Sequence, residues 1–134
     1  MLKKLITALL SITLSITSVT ATSSAVASVK QFKQSGMASW YGRQFHGRQT
    51  ANGERFNMHA MTAAHRTLPL NCVIRVTNKT NGKSAILRVN DRGPFSGNRV
   101  LDVSYGASKA LGFTDNGLTN VKIEVLEVPG KGKK

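Results

Sequence analysis

The sequence predicts an all-β protein, a small closed sheet with one minor helix, and three observations carry that prediction. Short runs that alternate apolar and polar residues recur at close spacing between residues 37 and 128. Turn signals rich in Gly, Asn and Asp separate them, with long polar loops between. Length sets the third limit: 134 residues leave room for one compact domain once a leader is set aside. Strands this short need a closed sheet, because closure removes the edges they would otherwise expose.

Residues 1–27 read as a secretory signal. Lys3 and Lys4 precede an apolar stretch from Leu5 to about Val19, and Ala25, Val26 and Ala27 form a small-residue cleavage site. The stretch is short and diluted by Ser and Thr, so cleavage is expected rather than a stable membrane anchor. It holds no Cys to carry a lipid. The expectation is export to the periplasm or the cell exterior, not as a lipoprotein.

Residues 28–35 are polar and have the composition of a linker. The domain is then expected over 36–128, beginning with a strand at 37–41 and a long surface loop at 42–53. Residues 61–64 make a brief buried strand. In 72–77, Cys72, Ile74 and Val76 alternate with Val73, Arg75 and Thr77; in 84–89, Ala85, Leu87 and Val89 alternate with Ile86 and Arg88. The turn at 78–82 joins these two runs as a hairpin. Residues 100–103 form another strand, after which Ser104 caps one or two helical turns through Ala107, Ala110 and Leu111 that stop at Gly112. Val121, Ile123 and Val125 mark one face of a last strand over 121–128, ended by Pro129. Residues 129–134 are a basic tail expected to be disordered.

Nineteen basic and six acidic side chains give a formal net charge of +13, which favours an anionic partner. Export argues against nucleic acid as that partner. Cys72 is the only cysteine, so no intramolecular disulfide forms and packing must hold the fold. A small buried side chain is its simplest role.

Unusual residues concentrate in 39–65. This stretch holds all three histidines, the only Trp, and Glu54, the only acidic residue before Asp91. Glu54 follows the turn signal Asn52-Gly53 and Asp91 follows a strand, and if the barrel brings these two loop ends together the two carboxyls share one cleft. Two carboxyls in one cleft can carry general acid/base chemistry on a polar ligand. The plainer roles are a turn-forming side chain for Asp91 and a surface ion pair for Glu54, and the residue pattern alone weighs the two readings equally. His65 fits either proton transfer or a satisfied half-buried position. His46, His59, His65 and Cys72 match no short chelating spacing, so neither a metal nor another cofactor is expected. Trp40, Tyr41 and Phe45 suit either sugar stacking or a small core.

The segments GMASWYG, FHGRQTANGERFN, TAAHRTLPLN, NGKSAILRVNDRGPF and NRVLDVSYGASKALG occur in that order. Together they resemble the rare lipoprotein A family of bacterial cell-wall proteins over residues 36–128. The resemblance implies a six-stranded double-psi β-barrel with one or two short helices. It also implies an endolytic lytic transglycosylase that acts without metal on the glycan strands of peptidoglycan, preferring strands stripped of peptide. The bond cut would be that between N-acetylmuramic acid and N-acetylglucosamine, with the muramic C6 hydroxyl closing a 1,6-anhydro ring. Glu54, His65 and Asp91 fall on positions associated with activity, with Asp91 the first choice of acid and Glu54 the second. Trp40, Tyr41, His46, Thr50, Asn52 and Arg92 are expected to contact substrate.

Many family members carry a lipid-attachment Cys and a C-terminal peptidoglycan-binding domain, neither of which shows here. That puts membrane tethering and recruitment to the division septum in question. A monomer is expected. The alternative functions are an expansin-like module that binds wall polysaccharide without cutting it, and a protein that engages cell-division or cell-wall proteins through its loops.

Overall fold

Alternating side chains in six short segments place one apolar face of each segment inward, and a closed barrel is how those faces meet. The computed structural model describes residues 31–130. The signal expected over 1–27 and residues 131–134 of the basic tail lie outside the described residues. The strands are β1 (Lys33–Tyr41), β2 (Thr62–Ala64), β3 (Val73–Asn78), β4 (Ser84–Asp91), β5 (Arg99–Ser104) and β6 (Leu118–Glu127). They close in the order β1-β5-β2-β4-β3-β6. The β1/β5 and β2/β4 pairs are parallel, and the other four are antiparallel.

The predicted hairpin is the β3/β4 pair, with Ile74 opposite Leu87 and Val76 opposite Ala85. Val89 and Val103 add to its inward face, and Val121 and Ile123 of β6 complete it, all with no accessible surface. Truncating one such side chain to Ala typically costs about 2–5 kcal/mol, so these positions hold the barrel closed. Cys72 is fully buried among them, and burial pushes its thiol up to about 11. It is therefore a packing residue without thiolate character at neutral pH.

The helix α1 (Tyr105–Leu111) starts where predicted, because the Ser104 hydroxyl accepts the Ala107 amide at 3.1 Å. It stops at Gly112, whose φ of 71° is left-handed. Buried Asn78 ties its end to the barrel by donating from Nδ2 to the Leu111 carbonyl at 2.9 Å, while Oδ1 accepts from Thr119.

The first strand departs from expectation. It begins at Lys33, inside the stretch read as linker, since Lys33 pairs with Glu124 and Ser35 with Lys122 on β6. Backbone pairing to an otherwise open barrel edge outweighs the polar composition of 33–35.

Candidate active site

One irregularity in the barrel creates the site. Along β2 and β4, Ala63 pairs with Val89 but Ala64 pairs with Asp91, so Asn90 is an extra residue on β4. A bulge of this kind redirects side chains. Here Asn90 is buried at 2% exposure and Asp91 looks into a cleft. Ala64 is also the partner of Asp102 on β5, and Asp102 is the partner of Ser39 on β1. Asp91 and Asp102 thus flank the small Ala64, with Cα atoms about two strand spacings, or about 10 Å, apart.

The cleft above this row has a volume of about 360 Å³, within the usual range for small-ligand sites. Tyr41, Phe45, Arg48, Thr50, Arg92 and Phe95 line it with the two aspartates. The Tyr41 ring stacks on Phe56 at 4.4 Å and meets Phe45 edge-on at 5.9 Å. Phe95 is 83% exposed and offers a bare aromatic face.

Each aspartate is half committed. Oδ1 of Asp91 accepts the Ala51 amide at 3.0 Å and the Arg92 amide at 2.9 Å, while Oδ2 has no hydrogen bond among the described residues. Oδ1 of Asp102 accepts from the Ser39 hydroxyl at 2.6 Å and from Arg99 Nε at 3.0 Å. The Tyr41 hydroxyl, within range of both charges, is buried without a hydrogen-bond partner among the described residues. Burial, and then the charges of Asp91 and Asp102, push it well above the usual phenol range, so it stays a proton donor.

Glu54 does not line this cleft. Its turn is built by the Thr50 amide donating to the Glu54 carbonyl at 2.8 Å, by Gly53 at φ 94°, and by Asn52 Oδ1 accepting the Glu54 amide at 3.1 Å. The Glu54 side chain follows Arg88 and Asn90 on β4, accepting from Arg88 at 2.6 Å and from Asn90 Nδ2 at 2.9 Å. Arg88, aided by Asn90 and Asn52, holds the carboxyl below its ordinary value against a smaller opposing effect of burial. The two acids expected to share a groove therefore flank one turn, and only Asp91 lines the cleft. At the bulge, Arg88 and Asn90 bind Glu54, and Asp91 lines the cleft.

His65 is also spent on structure. Its Nδ1 accepts the amides of Thr67 at 3.1 Å and Leu68 at 3.0 Å, which fixes the proton on Nε2, and Nε2 donates to Gln34 Oε1 at 2.8 Å. The ring is 3% exposed, and burial, then the charges of Arg92 and Arg66, lower its pKa to about 4. Its link to the cleft runs through the backbone, where the His65 amide donates to the Asp91 carbonyl at 3.2 Å. Arg92 Nη1 donates to the carbonyls of His65 and Leu68, so its guanidinium braces the cleft wall.

Of the other expected contacts, Tyr41, Thr50 and Arg92 reach the cleft, and three do not. Trp40 donates from Nε1 to the Thr114 carbonyl at 3.0 Å and packs on Tyr105 at 5.4 Å. His46 accepts the Met58 amide at 3.1 Å. Asn52 is occupied in the turn. Conversely, the sequence reading passed over Asp102, Phe95 and Arg48. Asp102 left one trace, a carboxylate set between Leu101 and Val103 inside a strand. No group of three or more metal-ligating side chains gathers among the described residues. With a free carboxylate oxygen, a second carboxylate and a protonated phenol between aromatic walls, the cleft is equipped to move protons on a ring-shaped polar ligand.

Comparison with known proteins places this arrangement. The profile of a family described as lytic transglycolase matches residues 33–123. An endolytic peptidoglycan transglycosylase RlpA from Neisseria meningitidis serogroup A is 59% identical over 103 residues, covering 77% of this chain and 43% of the relative. The protein of the same name from Rickettsia felis is 58% identical over 102 residues, covering 74% and 45%. The chain thus spans less than half the length of these relatives. Among solved structures, the expansin of Clavibacter michiganensis superposes with a TM-score of 0.58 at 18% identity, over 74% of this chain and 52% of that one. That likeness is one of fold.

Proposed function

This chain belongs to the lytic transglycolase family of double-psi β-barrels, and on that premise we propose that it cuts the glycan of peptidoglycan without consuming water. The observation that carries the proposal is Asp91, which lines an aromatic-walled cleft and whose Oδ2 has no hydrogen bond among the described residues. The names of the relatives supply the substrate class, and the excess of basic side chains suits an anionic wall polymer. The protein would meet this polymer outside the cytoplasm.

In this reaction Asp91 gives its proton to the glycosidic oxygen as the bond from the muramic C1 to that oxygen breaks. Positive charge develops at C1, and the Asp102 carboxylate, held by Ser39 and Arg99, faces it across Ala64. The C6 hydroxyl of the same ring then adds to C1, and its proton returns to Asp91. One bond forms for the one that breaks, and an internal nucleophile gains from proximity what a bound water would lack. The Tyr41 hydroxyl donates to a sugar oxygen, and Phe45 and Phe95 take apolar sugar faces. Glu54 and His65 act as positioning residues. Glu54 steadies the turn whose Ala51 amide holds Asp91, and His65 steadies the loop that Arg92 grips.

The test is product mass. Wild-type protein incubated with isolated glycan strands in ¹⁸O-labelled water should release fragments ending in 1,6-anhydromuramic acid, with no label incorporated. Labelled reducing ends would show hydrolysis, and strand binding without new ends would show an expansin-like module; either result overturns the proposal.

A further inference from the structure

A second groove starts one residue from the cleft. Successive strand residues face opposite ways, so Tyr41 lines the cleft while Trp40 lines the groove; in the turn Arg43–Phe45, the last residue serves the cleft and the first the groove. The two sites share no lining residue. The groove consists of two cavities, of about 450 and about 440 Å³, that adjoin at Tyr105 and Lys109. Trp40, Arg43 and His59 line the first, and Asp115 and Asn116 line the second.

The groove is aromatic and its wall is clamped. Tyr105 packs on Trp40 at 5.4 Å and meets His59 edge-on at 6.1 Å. The loop that carries His59 is tied to the start of α1, where the Gly106 amide donates to the Met58 carbonyl at 2.8 Å and a Cβ at Gly106 would overlap the His59 carbonyl. The groove is also cationic. Lys109 Nζ lies 4.9 Å from the centre of the Tyr105 ring, and neither Lys109 nor Arg43 makes an ion pair among the described residues. Lys83 Nζ lies beside Gly112 of the second cavity, where a Cβ would meet it at 3.3 Å. Asp115 is the one acid among the described lining residues.

Aromatic rings take the apolar faces of sugars, the amides of Gln44 and Asn116 offer hydrogen bonds to hydroxyls, and unpaired cations draw carboxylates. A small ligand would fill one cavity, whereas two joined cavities suit a chain. We propose that this groove is a second binding site for wall glycan, which holds the barrel on a peptidoglycan strand at a place other than the one it cuts. The carboxylates it meets are those that peptidoglycan carries on its lactyl groups and stem peptides. The inference takes from the function proposed above only the identity of the polymer.

The experiment starts from Asp91→Asn, so that the wall stays whole, and measures Kd for purified sacculi by cosedimentation. To it is added Arg43→Gln with Lys109→Gln, beside a control pair, Lys33→Gln with Arg75→Gln, that removes equal charge from exposed strand positions outside both sites. The groove pair should weaken binding about tenfold and the control pair less than about twofold. With Asp91 intact, the groove pair should cut a muramyl tetrasaccharide, long enough for the cleft alone, at a kcat/KM within about twofold of wild type. Equal weakening by both pairs would reduce the attraction to overall charge and overturn the groove, as would unchanged binding. Loss of tetrasaccharide cutting in step with sacculus binding would also overturn it, because Arg43 and Lys109 would then serve the cleft or the fold. Sacculus binding that depends on the groove pair, with no anhydro ends from protein that keeps Asp91, would sink the cutting function and leave the groove standing.

Discussion

Buried neutral His65 makes stability depend on pH in a direction and size that the structure sets. Its ordinary value is 6.5 and the fold lowers it to about 4. Burial lowers it most, followed by the charges of Arg92 and Arg66, and Nδ1 already accepts the amides of Thr67 and Leu68. Above the upper value the imidazole is neutral in folded and unfolded chains alike, and pH has no effect through it. Between the two values the unfolded chain takes up a proton that the folded chain refuses, so acid favours unfolding. Integrating that difference gives a loss of about 2 kcal/mol of stability between about pH 7.5 and about pH 5. Urea denaturation at both pH values, for wild type and for His65→Gln, measures it. The variant removes this titration and leaves every other group in place. It should start less stable, with the Thr67 and Leu68 amides deprived of their acceptor, and should lose about 2 kcal/mol less on acidification. Equal acid losses in the two proteins would refute a neutral, buried His65.

Tyr41→Phe separates binding from folding, because the hydroxyl is buried without a partner among the described residues. The free variant should be as stable as wild type or more stable by about 1 kcal/mol, while kcat/KM falls about tenfold; calorimetry and kinetics check the two halves. Phe95→Ala should leave stability within about 0.5 kcal/mol, since the side chain is 83% exposed, and raise KM for glycan. Asp102→Asn should lower kcat more than it raises KM, because the charge it opposes exists only in the transition state.

The barrel was legible in the sequence wherever one strand face is apolar. Ile74 and Val76, then Leu87 and Val89, announce β3 and β4, and Ser104 and Gly112 bracket α1 with the residue types that caps require. The start of β1 was hidden because Lys33, Gln34 and Ser35 join the sheet through backbone pairing, which leaves no mark on composition. The site was harder to read for a related reason. A bulge at Asn90 is a register event between β2 and β4, and nothing in the residues around it states that Asp91 and Asp102 share Ala64 as a neighbour. Trp40 was ambiguous because an aromatic at a strand end serves a core as well as a ligand; its indole donates to the Thr114 carbonyl and its ring is partly buried against the core. His65 carried the family signal at its position, but its role is read only from which atoms its two ring nitrogens meet.

The division of labour between Asp91 and Glu54 is the most direct point of attack. Counting anhydromuramic ends released per minute by wild type, Asp91→Asn and Glu54→Gln weighs a carboxyl inside the cleft against one bound to Arg88 outside it. Loss of about a thousandfold or more for Asp91→Asn, beside about tenfold for Glu54→Gln, is the predicted result. Asp91→Asn keeping near-normal rate while Glu54→Gln is dead would contradict the account.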